Sequence, residues 1–275
     1  MLIPEPRSLI PEKAMQFIRL ISHGPEHAFF NMALDEAIAE AVRGKRSAPT
    51  LRFYQWDRPS ISIGYFQKAS DVNFDYCRQK GYPVVRRLTG GRAILHDEEL
   101  TYSISSYTDS FLFKDRLLET YTVISNALLR GLKLNSIGAR ISLRKKRSEN
   151  HKNPSCFKSM SFGEITVNGK KIIGSAQKRY KNGFLQHGSL LLCFNADELR
   201  HALREIGSDD FTHIGSISEC RSGISPDQLR KSLKEAFEKE LNVKLVSDVP
   251  SKAELKAADR LVKTKYSTDE WNFMR

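Results

Sequence analysis

The chain has 275 residues, of which 40% are hydrophobic and 28% charged, and it carries a formal net charge of +12. This balance fits a folded globular protein and excludes a disordered one. No apolar run approaches the roughly 18 residues that span a bilayer. Pro4, Glu5 and Pro6 stand where a secretory signal would place its apolar core, so a cytoplasmic location is expected.

Residues 1–14 contain prolines, lack periodicity and read as a peripheral arm. Phe17, Leu20 and Ile21 open a strand. Residues 31–42 are alanine-rich with helical apolar spacing, and Gly44 is a natural stop. Residues 51–56 and 60–64 predict two strands joined by a turn at Asp57-Arg58-Pro59. Residues 75–80 predict a short helix ending at Gly81. An extended run, Tyr82-Pro83-Val84-Val85, leads into Arg86-Arg87-Leu88-Thr89-Gly90-Gly91-Arg92-Ala93-Ile94-Leu95-His96-Asp97, and residues 100–107 form a further strand. Leu117, Tyr121, Ile124, Leu128 and Leu132 share one helical face.

Residues 144–154 are basic and polar without an apolar anchor, which predicts a mobile loop. Asn168-Gly169 and Asn182-Gly183 then punctuate alternating runs, so residues 162–167, 170–180 and 184–192 predict an antiparallel meander. Ser225-Pro226-Asp227 caps a helix through Leu229, Leu233, Phe237 and Leu241, and residues 253–266 continue as a helical tail. Neither an internal repeat nor a linker divides the chain. The expectation is one α+β domain over residues 15–275, with mixed and antiparallel sheet flanked by helices. Its core spans roughly residues 30–245 and its helical tail residues 250–275.

The Arg86–Asp97 stretch is the most informative one. Adjacent glycines let a backbone turn tightly against a ligand, and the flanking arginines can hold anionic groups by paired hydrogen bonds. The alternative is a surface turn with solvated arginines. The four cysteines, Cys77, Cys156, Cys193 and Cys220, are scattered without C-x-x-C pairs, so no zinc site or other metal centre is expected. Cys156 follows the basic segment, where positive charge lowers a thiol's pKa and favours a nucleophilic thiolate. Its other reading is a small core hydrophobe, the role assigned to Cys77, Cys193 and Cys220. Lys171 enters a strand behind a hairpin turn, either as a solvated edge residue or as a charge aimed into a cleft. His96 and His187 lack metal-ligand spacing and suit a structural or pocket-lining place. No nucleic-acid motif accompanies the +12 charge, which also steers acidic protein partners.

Taken in order, these blocks resemble the biotin/lipoate protein ligase superfamily, most closely its octanoyltransferase branch of the LipM type. The resemblance runs through Asn31-Met32-Ala33-Leu34-Asp35-Glu36, the Arg86 to Tyr102 loop and strand, and Ser155-Cys156-Phe157. It continues through Gly169-Lys170-Lys171-Ile172-Ile173-Gly174-Ser175-Ala176-Gln177, Leu185-Gln186-His187-Gly188-Ser189-Leu190, and the terminal Tyr266 to Asn272. It implies transfer of an octanoyl group from acyl carrier protein to a lysine of a lipoyl-carrier protein, such as the glycine-cleavage H protein. Cys156 would carry the acyl thioester, and Lys171 would lower its pKa and hold the carbonyl. Arg87, Thr89, Gly90, Gly91, Arg92 and His96, with Gly174, Ser175, Ala176, His187 and Gly188, would line the acyl site. No cofactor, nucleic acid or membrane is implied.

Two relatives on the same fold compete with this reading. An ATP-dependent lipoate–protein ligase would read Gly-Gly-Gly in the loop, where this chain has Gly90-Gly91-Arg92. A relay amidotransferase would usually lack the loop histidine. A non-enzymatic binder of nucleic acid or acyl groups has only the net charge in its favour.

Overall fold

The computed structural model describes residues 16–142, 164–204 and 211–275. The arm over residues 1–14, the basic segment over 144–154, Cys156, and the first two residues of the strand expected from 162 lie outside them.

A large mixed sheet organises the protein. In chain order the first elements are β1 (Phe17–Glu26), α1 (Ala28–Arg43), β2 (Thr50–Trp56), β3 (Ser60–Ile63), α2 (Phe74–Lys80), β4 (Val84–Arg86), β5 (Ile94–His96), β6 (Glu99–Tyr107) and α3 (Leu117–Leu134). There follow β7 (Arg140–Ser142), β8 (Glu164–Val167), β9 (Lys170–Tyr180), β10 (Gly183–Leu191), α4 (Ala196–Ala202), α5 (Ile217–Cys220) and α6 (Pro226–Leu241). The chain closes with β11 (Lys244–Asp248), α7 (Lys252–Leu261), a π-turn over Val262–Tyr266, and α8 (Asp269–Asn272).

The eight-stranded sheet runs β11-β1-β2-β6-β10-β9-β8-β7, parallel at β11-β1-β2 and antiparallel beyond. A second sheet of three strands, β4-β3-β5, stands apart from it. The turn after β2 therefore does not close a hairpin. It carries the chain from one sheet to the other, a step that residues 51–64 do not reveal because both strands read alike. Both faces of the large sheet are covered. Leu128, Leu132, Leu233 and Phe237 of α3 and α6 pack with Tyr102, Ile104 and Phe184 on one face. On the other, Met32, Ala33 and Ile38 of α1 pack with Tyr54, Trp56, Ala258 and Tyr266.

Local chemistry sets the boundaries. Asn168 and Gly169 both take positive φ, 50° and 79°, as a two-residue hairpin turn demands. Ser225 and Gln228 form a reciprocal capping box at the start of α6, with Pro226 in its first turn. Gly81 ends α2 in the left-handed conformation, φ 69°. Three short strands escape the sequence reading: β5, β7 and β11 are too brief to show a period of two.

Candidate active site

A slot lies between the two sheets, with about 350 Å³ of empty space along it when the open solvent at its mouth is included. It crosses four neighbouring strands of the large sheet, a span of about 14 Å at the usual strand spacing. Tyr54 and Trp56 of β2 line one end, Thr101 of β6 and His187, Gly188 and Ser189 of β10 follow, and Gly174, Ser175 and Ala176 of β9 line the other. The small sheet and its loop supply Ser62, Arg87, Ile94 and His96. Tyr54 and Trp56 are buried, whereas β9 from Ser175 onward is half-exposed, so the slot is closed at β2 and opens toward β9. Gly188 keeps it narrow: a Cβ there would lie 2.5 Å from the Gly174 carbonyl oxygen and 2.7 Å from the Tyr102 ring.

The Gly-Gly loop is held from inside. Arg87 donates to the Ser62 carbonyl at 3.0 Å, the Gly90 carbonyl at 2.9 Å and the Arg92 carbonyl at 2.7 Å. Its guanidinium lines the slot while tying down the loop, a different use from the anion grip expected of loop arginines. Arg86 behaves similarly. Fully buried, it donates to the Gly64, Gln67 and Asn272 carbonyls and so fastens the C-terminal segment to β4. Gly91 takes φ 94° and presses on Gly64, where a Cβ would fall 1.8 Å from the Gly91 carbonyl oxygen. Arg92 is half-buried and its side chain has no hydrogen-bond partner among the described residues.

Beneath the slot lies a polar lattice that single-sequence reading does not find. Asp35 of α1 accepts from Arg52 at 2.7 Å, Tyr54 at 2.9 Å and Ser103 at 2.7 Å. Burial alone would raise the Asp35 carboxyl, but Arg52, His187 and Ser103 together hold it below its ordinary range. His187 Nδ1 is 3.3 Å from Asp35, and its Nε2 is 2.6 Å from the Thr89 hydroxyl. A carboxylate can only accept, so His187 carries its proton on Nδ1 and accepts the Thr89 O–H at Nε2. Burial depresses the His187 pKa more than Asp35 restores it, which favours that neutral ring.

A second polar group sits at the side of the slot. Glu99 Oε1 accepts from Trp56 Nε1 at 3.1 Å and from the Thr101 and Ser189 hydroxyls. His96 stacks on Trp56 at 3.9 Å and bridges Glu99 and Ser62, at 2.9 and 2.7 Å. The available signal was alternation: Thr101, Ser103 and Ser105 alternate with buried Leu100, Tyr102 and Ile104, as on a strand with one wet face. Here both faces are buried.

The expected site residues thus separate into groups. Arg87, His96, Gly174, Ser175, Ala176, His187 and Gly188 line the slot, whereas Thr89, Gly90, Gly91 and Arg92 lie in the loop between β4 and β5 and do not line it, Thr89 reaching it only through His187. Lys171 does not line it. It lies 1% exposed at the start of β9 with Nζ 2.6 Å from Glu164, so it is no solvated edge residue. Cys156 is outside the described residues. Cys193 and Cys220 are exposed rather than core fillers, whereas Cys77 is buried. Among the described residues no cluster could hold a metal ion, and no helix is long and apolar enough to cross a membrane.

A family model described as the lipoyl protein ligase A/B catalytic domain matches residues 27–238, and the chain belongs to that family. An octanoyltransferase LipM of Bacillus cereus is 38% identical over 272 residues, covering 93% of this chain and 97% of that protein. A crystal structure of lipoate-protein ligase A bound with ATP superposes with a TM-score of 0.79 at 28% identity, covering 94% of this chain and 99% of that one. The bipartite lipoate protein ligase of Thermoplasma acidophilum, from a structural analysis that includes its E2 lipoyl domain, gives 0.77 at 26% identity. That match covers 94% of this chain and 96% of the other.

Proposed function

We propose that this protein is an acyltransferase of lipoate biosynthesis, an octanoyltransferase. It takes an octanoyl group from acyl carrier protein, holds it as a thioester on Cys156, and passes it to a lysine of a lipoyl-carrier protein such as the glycine-cleavage H protein. The reaction belongs in the cytoplasm. The observation that carries the reading is the slot: a narrow passage, closed at β2 and open toward β9, in a chain 38% identical to an octanoyltransferase over nearly its whole length.

In this scheme the acyl chain lies across the strands with its tail against Tyr54 and Trp56 and its carbonyl near β9 and the loop. The Cys156 thiolate attacks the donor thioester, and the carrier's thiolate leaves. The acceptor's amine then attacks the new thioester, loses a proton, and expels Cys156. Lys171, although it is paired with Glu164 and does not line the slot, is the cation this scheme assigns to the thiolate and the tetrahedral oxyanion. The three described cysteines are poorly suited to that role. Burial pushes the Cys77 thiol up to about 11. The Cys193 thiol is also raised, burial and the Glu98 and Asp97 carboxylates outweighing a hydrogen bond from Ser218, and burial with Glu219 raises Cys220.

Thioester-to-amide transfer runs downhill and requires no nucleotide. Purified protein should therefore octanoylate an apo lipoyl domain from octanoyl-acyl carrier protein without ATP. Strict dependence on ATP, with free octanoate as substrate, would instead define a ligase.

A further inference from the structure

Beside the β9 end of the slot stands a lysine that forms no ion pair with a carboxylate among the described residues. Lys178 follows Ala176 by two residues on β9, so both project from the same face about 7 Å apart. Its Nζ lies 4.7 Å from the centre of the Tyr65 ring and 5.1 Å from that of Tyr180. The Tyr65 backbone donates to the Thr89 carbonyl at 2.9 Å, so this aromatic box abuts the Gly-Gly loop. Glu36, whose charge reaches Lys178, is already engaged by Lys265 at 2.7 Å and by the Tyr266 hydroxyl at 2.6 Å. Further cations crowd the box: Arg43 lies 3.7 Å over Tyr180, and Arg275 lies 5.9 Å from the Tyr65 centre.

Aromatic faces hold a cation, but they do not relieve its repulsion from neighbouring cations. Burial first, then Lys265 and Arg43, pull the Lys178 pKa below its ordinary value. An anion brought by a partner would relieve that repulsion. The position selects which anion. If the acyl group is transferred at the β9 end, the acceptor's target lysine must enter there. A lysine side chain reaches only about 6 Å from its Cα, so the residues beside it come to rest about one strand step from the mouth.

We infer that Lys178 is a specificity-determining residue that receives a carboxylate side chain neighbouring the target lysine of the acceptor protein. Acceptors with neutral or basic neighbours are thereby disfavoured. The inference rests on the proposed acyl transfer and adds to it the chemistry of the acceptor.

The test uses an apo lipoyl domain with an aspartate beside its target lysine, and a second form in which that aspartate is replaced by lysine. Lys178→Met should raise the acceptor KM about tenfold while kcat stays within about twofold, since one ion pair of this kind is a factor of ten in affinity. Lys178→Glu should prefer the lysine-flanked domain, reversing the native order. An unchanged KM in Lys178→Met, or no reversal with Lys178→Glu, would overturn the inference and leave Lys178 as packing for Tyr65 and Tyr180. If the native protein transferred octanoyl to neither domain, the functional reading itself would fall, and this inference with it.

Discussion

The Thr89 hydroxyl and the His187 ring meet at 2.6 Å, joining the Gly-Gly loop to the central strand β10 across the slot. Because Asp35 fixes the ring's tautomer from the far side, the loop's position is referred back to helix α1. Thr89→Val removes the hydroxyl and leaves a buried Nε2 without its donor, at a cost of about 1–3 kcal/mol. Urea unfolding should show that loss, and kcat/KM for octanoyl transfer should fall with it. Thr89→Ser should recover most of both.

The Asp35–Arg52 pair is buried on both sides, with side chains 2% and 0% exposed. Asp35→Ala would leave Arg52 charged in the interior, which typically costs about 3–5 kcal/mol. Replacing both, as Asp35→Leu with Arg52→Met, should be less damaging than the single change, because no charge is then stranded. Midpoints of denaturant unfolding measure the difference.

Gly64→Ala should displace the loop, because the new methyl would lie 1.8 Å from the Gly91 carbonyl oxygen. Backbone must move, so acyl transfer should fall at least tenfold while circular dichroism stays native-like. Gly138→Ala, where the added Cβ meets nothing within 4 Å, serves as the control and should leave transfer unaltered.

Acid should destabilise the protein below about pH 6.5 through its histidines. Burial, together with Arg52, lowers His23 to about 4 against the opposing pull of Asp35, and burial lowers His187 as well. Between the unfolded value of 6.5 and these folded values the unfolded chain binds protons that the folded one does not, so stability falls as pH falls. Asp35, itself depressed, adds its loss only below its unfolded value of 3.8. Thermal midpoints between pH 7.5 and 4.5 should decline, and His23→Gln should flatten the slope.

Much of the scaffold was legible because it is locally encoded. Asn168-Gly169 and Asn182-Gly183 mark the meander, Ser225-Pro226 starts α6, and the apolar face of α3 is correct, although Leu117 at its start is 41% exposed. What escaped is non-local. Nothing around Asp57-Arg58-Pro59 says that β2 and β3 enter different sheets, and β11 pairs with β1 only after more than 200 intervening residues. In the site, the loop and the β9 and β10 glycines were readable as chemistry. The lattice of Asp35, Arg52 and Ser103 and the separate group around Glu99 were not, because their partners come from separate elements and each residue alone looks like a solvated polar position. The same holds for Lys171: a lysine after a hairpin suggests an exposed edge, and only the tertiary contact with Glu164 buries it.

Lys171→Ala removes the cation 2.6 Å from Glu164 in a buried setting, so it should lose both stability and acylation rate. Lys171→Met with Glu164→Gln removes both charges and should restore much of the stability while acylation stays slow. Equal recovery of both would make the lysine a packing element alone.

The proposed intermediate is an octanoyl group carried on Cys156. Intact-protein mass spectrometry after incubation with octanoyl-acyl carrier protein, with no acceptor and no nucleotide, tests it directly. A hydroxylamine-sensitive gain of one octanoyl group is expected in the native protein and none in Cys156→Ser. A Cys156→Ser variant that still forms the adduct, or still turns over with an acceptor, would contradict it.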